Sequence, residues 1–589
     1  MNCRHFACYV DDRGKVLPGR FRLRAIWMFA ASLLAILLGL RPVPAAEATG
    51  HGMVVSTQRL ASEAGLTILK AGGNAIDAAV AVGYALAVVD PCCGNIGGGG
   101  FMLIHRAGAA AHEGGDVFIN FRETAPAAAT ADMYLDADGN PIRDASLYGY
   151  RAVAVPGTVR GLDLALGRYG RMARILVMAP AIALARDGFV LGKADAAIIA
   201  RGAKRLAADP EAARIFLHPD GTAYQPGERL KQPDLAVTLE NIGRDGPDAF
   251  YKGDIPKAVE TAAHPRDGVI AAVDFARYKA TELPPLECTY RGYRILSAPP
   301  PSSGGATLCE VLNVVSGWDI AGAGYRSPRA VHLTAEAMRH AFFDRNSELG
   351  DPDFVANPLG KLLSAEHAAT IRAAIDPDKA TPSAALGSVV ARAGEKPQTT
   401  HYSVVDDEGD AVAVTYTVNG NFGASVVAPG TGFLLNNEMD DFAVKPGAAN
   451  LFGLVQGTNN AIAAGKRPLS SMSPTIVEKD GKPVIVLGSP GGPRIITAVL
   501  ETLMNLIDFE MKPDAAVAAP RFHQQYLPDT VFYETSGLPE ATASALGEMG
   551  YSLKEQAPWG AVELIAIGPD GTLTGVNDPR GPAGAALGY

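Results

Sequence analysis

The sequence changes character at one point, and that point limits what the chain can fold into. From Asp376 to Pro397 it is a soft run rich in Ala, Pro, Ser and Lys. Beyond it comes period-two alternation over Thr400 to Val405, a polar turn from Asp406 to Asp410 that holds Gly409, and a second strand-like run, Ala411 to Thr417. Two such runs around a short glycine-bearing turn read as an antiparallel hairpin. A hairpin that folds straight back brings Thr417 alongside Thr399.

Thr399, at the head of the first strand, suits one specific chemistry. A cut between Gln398 and Thr399 would give Thr399 a free α-amine beside its hydroxyl. Such an amine has an unperturbed pKa of about 7.7–8.0, so part of it is neutral at pH 7. It can take the hydroxyl proton, which makes one residue both nucleophile and base. The same stretch also reads as an ordinary buried strand with polar neighbours, and Thr417 as an ordinary strand threonine. Spacing alone does not separate the two readings.

A chain of 589 residues is long enough to bury a large core. Its net charge of −10 argues against non-specific nucleic-acid binding, which needs a basic footprint. Arg20, Arg22 and Arg24 precede an uncharged apolar run, Ala25 to Leu40, and the small residues Val43-Pro44-Ala45-Ala46. This is the pattern of an export signal over residues 1–46, cut after Ala45 or Ala46, or kept as an anchor. Either way the body is exported, to the periplasm or the outside of a bacterial-type cell. Cys92, Cys93, Cys288 and Cys309 remain in the body; a Cys288–Cys309 bridge and four buried thiols are both open. No CxxC, HExxH or GxxxxGK[ST] pattern occurs, so neither a zinc site nor a phosphate loop is expected.

Along the body, Ser56–Ala71 and Asn74–Val88 read as helices parted by Gly72-Gly73. The second is apolar nearly all round and is expected to be buried. Gly94 to Gly100 lack dinucleotide-binding spacing and read as a tight turn with close backbone approach. Phe101–His105 and Asp116–Phe121 follow as paired strands. Thr158 to Ile375 is mostly helical scaffold, with a strand at Tyr293–Ser297 and Ser302 and Ser303 placed to cap a helix. His332, His340 and His367 lie on helical stretches without triad spacing.

Several long stretches then carry a resemblance: TTHYSVVDDEGDAVAVTYTVN, LLNNEMDDF, RPLSSMSPTIV and GSPGGPRII after Gln398, and GGNAIDAAVA, NIGGGGFMLI, FRETAPAAAT and PPPSSGG before it. Their order and content resemble the γ-glutamyltranspeptidases from about Gly50 to Tyr589. The resemblance implies an α+β N-terminal-nucleophile hydrolase fold, an αββα sandwich. It implies self-cleavage into a large subunit, 47–398, ending in a flexible segment from 376, and a small catalytic subunit, 399–589. The implied substrates are glutathione and related γ-glutamyl compounds, with water, an amino acid or a dipeptide as acceptor, and no cofactor or metal. A β-lactam side-chain acylase of the same fold and an inactive exported solute-binding protein are the alternatives.

Site residues follow by resemblance, position by position. Thr399 is the nucleophile and Thr417 its hydroxyl partner. Gly491 and Gly492 supply oxyanion-hole amides; Pro493, without an N–H, adds none. Arg122 holds the α-carboxylate with Ser470 and Ser471, a role that suits a planar fork. Asn419, Glu438 and Asp441 receive the α-ammonium. Glu438 stands where some bacterial relatives carry Gln. Lys445 to Asn459 corresponds to a lid, with Phe452 near a tyrosine of some relatives; without that hydroxyl a looser, weakly held lid is expected.

Overall fold

The structure, a computed structural model, describes residues 47–108, 115–387 and 399–589. The export signal, Gln398 and the soft run from 388 onward lie outside the described residues. Two seven-stranded antiparallel sheets form the centre. The first runs Ala585–Gly588, Met53–Ser56, Thr400–Val405, Ala411–Thr417, Gly99–His105, Asp116–Phe121, Thr281–Leu283. The second runs Glu47–Thr49, Leu573–Asn577, Glu563–Ile567, Lys482–Gly488, Thr475–Lys479, Tyr293–Ser297, Leu286–Tyr290. The expected hairpin therefore forms the third and fourth strands of its sheet, flanked on both sides by strands from before residue 376.

Alternation along these strands builds the layers. Val55, Phe101, Leu103 and Ala413 meet Leu296, Ile476, Val486 and Ile565 in a core shared by the two sheets. On the other face of the first sheet, Tyr402, Val404, Val412 and Val414 pack against a helical layer. Helices Gly304–Val315, Pro328–Glu348 and Arg494–Ile507 cover the outer face of the second sheet over Ile295, Val477 and Leu487. The order is helix, sheet, sheet, helix, as the resemblance implies.

Helix Ala75–Val89 is buried along its whole length, because no face of it is polar enough to meet water. Asn74 and Asp77 close a capping box at its start. Asp406, in the hairpin turn, accepts a further bond from the Ala75 N–H at 2.7 Å, tying turn to helix. The glycine run makes the close approach expected of it. A Cβ on Gly98 would lie 1.8 Å from the Thr417 carbonyl oxygen, and one on Gly97 2.0 Å from that of Leu434.

All four body cysteines are bridged. Cys288–Cys309 takes one of the two options left open above, and Cys92 pairs with its neighbour Cys93, which the sequence reading did not foresee. Ser303 holds the N-cap position of its helix but makes no side-chain cap. Its hydroxyl donates instead to the Ser470 carbonyl at 2.7 Å.

Gly98→Ala meets backbone, which cannot swing aside. It is expected to lower stability by at least the roughly 1–3 kcal/mol typical of overpacking. Gly167→Ala, in a helix with open space around it, is the control and should be neutral or stabilising by up to about 1 kcal/mol. Urea unfolding of the two variants checks this.

Candidate active site

A cavity of about 310 Å³ lies at the open end of the hairpin. Thr399, Thr417, Asn419, Glu438, Asp441, Ser470, Ser471 and Gly492 all line it. Residues chosen from motifs scattered between 399 and 492 thus share one small space. Gly491 and Arg122 do not reach its wall.

The threonine end is set by register. Thr400 opposite Tyr416 is the last ladder pair, so Thr399 and Thr417 are the next facing positions. The Thr417 hydroxyl oxygen accepts the Asn419 N–H at 2.8 Å. Asn419 sits at φ 77°, a left-handed conformation that Asn tolerates better than most residues. Its Nδ2 donates to the Asn437 carbonyl at 3.0 Å. Next to the nucleophile position, the Thr400 and Thr57 hydroxyls lie 2.6 Å apart. His401 is no candidate base: it is fully buried on Thr415 (2.8 Å) and Ser403 (3.2 Å), and burial pushes its imidazole down to about 3.

Gly491 and Gly492 have φ of 137° and 58°, both in the region that favours glycine. They lead through Pro493 into helix Arg494–Ile507. Backbone N–H groups at such a start are a natural anion site.

The other end is charged and dry. Glu438–Asp441 form a buried 3-10 turn, not the solvated loop their composition implies. Arg122 is fully buried at the end of its strand, where its Nε donates to the Pro468 carbonyl at 3.1 Å. Its two terminal nitrogens pair with the carboxylates of Glu438 and Asp441. The fork assigned to a ligand carboxylate is thus engaged by the two acids assigned to the ligand ammonium. Burial drives the Glu438 carboxyl well above the usual range, against the pull of Arg122.

Arg345 also lines the cavity, and the sequence reading missed it. It lies in the last turn of helix Pro328–Glu348, where nothing in the local pattern marks it out. The segment expected to form a lid borders the same cavity. Phe452 lines the cavity and packs against the core of the second sheet, and its carbonyl accepts from Gln525 at 3.3 Å. Asn450 Oδ1 accepts the Phe452 and Leu454 amides, and Asp440 that of Leu451. Apolar packing and these bonds place the segment over the cavity without a tyrosine hydroxyl.

Two antiparallel sheets between helical layers, with a threonine heading an interior strand at a polar cavity, define an N-terminal-nucleophile hydrolase. A family model described as Gamma-glutamyltranspeptidase matches residues 61–588. The Glutathione hydrolase proenzyme of Pseudomonas sp. (strain A14) is 51% identical over 549 residues, which span 92% of this chain and 94% of that protein. The chain belongs to the gamma-glutamyltranspeptidase family. The Acylase ACY 1 proenzyme of Pseudomonas sp. (strain SE83) is 40% identical over 533 residues, 89% of this chain and 91% of that protein. Among solved structures, the cephalosporin acylase from Bacillus halodurans aligns with a TM-score of 0.81 at 28% identity, covering 94% of this chain and 98% of that one.

His401 yields a pH dependence of stability. Its folded value of about 3 lies below the ordinary value of 6.5, so between them the unfolded chain binds the extra proton. Stability from this group is intact above pH 6.5 and falls as pH drops from 6.5 towards 3. His401→Asn should flatten that loss, seen as a smaller difference in urea midpoint between pH 7 and pH 4.5 than in the parent protein.

Proposed function

We propose that this protein is a γ-glutamyltranspeptidase and glutathione hydrolase, exported to the periplasm, that activates itself by cutting between Gln398 and Thr399. The observation that carries the reading is the single cavity with paired threonines at one end and Asn419, Glu438, Asp441, Ser470 and Ser471 at the other, in a chain of this family.

In the precursor, the Thr399 hydroxyl attacks the Gln398 carbonyl, the acyl group moves from nitrogen to oxygen, and water hydrolyses the ester. Thr399 is left with a free amine. The mature enzyme is then a heterodimer of 47–398 and 399–589, both of which contribute strands to each of the two sheets. Thr399 Oγ next attacks the γ-amide carbonyl of glutathione or another γ-glutamyl compound. The amine takes the hydroxyl proton and, through water, passes one to the leaving amine. The Gly491 and Gly492 amides stabilise the oxyanion, where loss of one donor costs on the order of 10²–10³ in rate, and Thr417 orients the nucleophile. Asn419, Glu438 and Asp441 accept from the substrate ammonium. Ser470, Ser471 and Arg122 face its carboxylate. The γ-glutamyl ester on Thr399 is released to water as glutamate, or to an amino acid or dipeptide as a new γ-glutamyl peptide. No step uses a metal or cofactor.

The likeness to cephalosporin acylase favours one second reading, hydrolysis of a glutaryl side chain. A glutaryl group lacks the ammonium, so buried acids would face nothing that needs them.

Intact mass and denaturing gels test self-cleavage. Two fragments meeting at Gln398/Thr399 are expected, with a single chain for Thr399→Ala; a single chain in both overturns the mechanism. Substrate class is tested with γ-glutamyl- and glutaryl-p-nitroanilide. Asp441→Asn should cut kcat/KM roughly 10- to 100-fold for the first and far less for the second. A preference of the parent enzyme for the glutaryl compound would establish the acylase reading instead.

A further inference from the structure

Three helices that pack together on the outer side of the second sheet bring one side chain each to a common point. Helix Gly304–Val315 supplies Glu310, helix Pro328–Glu348 supplies Asp344, and helix Ala365–Ala374 supplies His367. His367 Nε2 lies 2.8 Å from Asp344 Oδ2 and 3.4 Å from Glu310 Oε1. One ligand atom from each residue lies within 4.8 Å of the other two. Glu310 is 2% exposed, whereas Asp344 and His367 are only half-buried. Solvent therefore reaches the cluster past the latter two.

An ion pair alone leaves this arrangement incomplete. One imidazole nitrogen carries at most one hydrogen, and Asp344 Oδ2 is the acceptor placed to take it, at 2.8 Å. Glu310 Oε1 is left buried without a hydrogen-bond partner. Among the described residues neither acid forms an ion pair with a Lys or Arg. Two neighbouring carboxylates repel when both are ionised, and burial pushes the Glu310 carboxyl up to about 8. A divalent cation between the three atoms would accept a lone pair from each and supply the missing positive charge. Imidazole with carboxylates suits zinc and its first-row neighbours, whereas calcium and magnesium take oxygen sets. Bonds of about 2.0–2.2 Å to a tetrahedral ion set its ligand atoms roughly 3.4 Å apart, the separation already found between His367 and Glu310. Three protein ligands leave a fourth position for water on the exposed side.

We propose that Glu310, Asp344 and His367 form a binding site for a zinc-class divalent cation, which clamps the three helices together and takes no part in the chemistry of the cavity. None of the three residues lines that cavity. The link to it is structural: Asp344 directly precedes Arg345, which does line it. An ion on Asp344 would hold the helix end that forms this part of the wall. The ligands come from three separate helices, so no short motif announces the site.

The test uses the purified full protein, stripped with a chelator and desalted, with Zn²⁺ as the probe. Calorimetry is expected to show about one equivalent bound with a micromolar or tighter Kd, and Co²⁺ in its place should give the visible absorption of a four-coordinate site. Glu310→Gln and His367→Gln should each weaken that binding at least roughly 10-fold. Zn²⁺ should raise the thermal midpoint of the parent protein and leave those of the two variants unmoved. His264→Gln, at an exposed histidine 3.9 Å from Glu260, is the control and should keep the site. Circular dichroism and the metal-free midpoint report whether each variant folds, and Asp344→Asn replaces any that does not. No zinc binding by the parent protein, or binding unchanged in the ligand variants, would overturn the proposal.

Discussion

The site depends on the backbone pairing of Thr400–Val405 with Ala411–Thr417. A slip of one residue would turn Tyr402 and Val404 from the helical layer into the space between the sheets and send His401 and Ser403 outward. The register is pinned at both ends. At the turn, Asp406 Oδ1 accepts from the Glu408 and Asp410 amides, each at 3.0 Å, while Oδ2 reaches the start of the buried helix. At the open end, Gly98 lies flat against the Thr417 carbonyl, where any side chain would push the strand away. Facing threonines follow from these two clamps, and so does the place of the cavity.

What the hairpin positions, the buried charges make selective. Arg122, Arg345, Glu123, Glu438 and Asp441 are crowded into a region that excludes water. Isolated, each would cost several kcal/mol. Here Arg122 is met by three acids, and burial raises Glu123 to about 7 even with that arginine beside it. Acid is thus in excess around Arg122, whereas the side chains that accept hydrogen bonds from Arg345 are all neutral.

Much of this was legible in sequence because it rests on local pattern. The bounds of both hairpin strands and of Tyr293–Ser297 emerge from alternation and turn chemistry alone. The buried helix announces itself by having no polar face. The cavity residues were legible only through long motifs, since hydroxyls, amides and acids in loops look like solvated turns until tertiary packing buries them. Arg345 and the Arg122–Glu438–Asp441 pairing had no such signal. Both depend on contacts between segments more than 90 residues apart in sequence, and an arginine within a helix ordinarily faces water. The Cys92–Cys93 bridge escaped because its Cα atoms are only 3.8 Å apart, below the usual span of a disulfide.

The strand order explains how a chain of this design can gain a new terminus at its most constrained point. Thr399 precedes its strand, so a break before it cuts no ladder bond. Thr400–Val405 keeps Met53–Ser56 on one side and Ala411–Thr417 on the other, and Ala411–Thr417 keeps Gly99–His105. In the second sheet, Thr475–Lys479 pairs with Tyr293–Ser297 in the same way. Residues before and after the break are therefore joined through the middle of both sheets and through the core between them, not across a surface that could part. The new amine would appear at the head of a strand already fixed on both edges, beside a threonine set by the same ladder, so its geometry would come from the sandwich rather than from the segment that was cut.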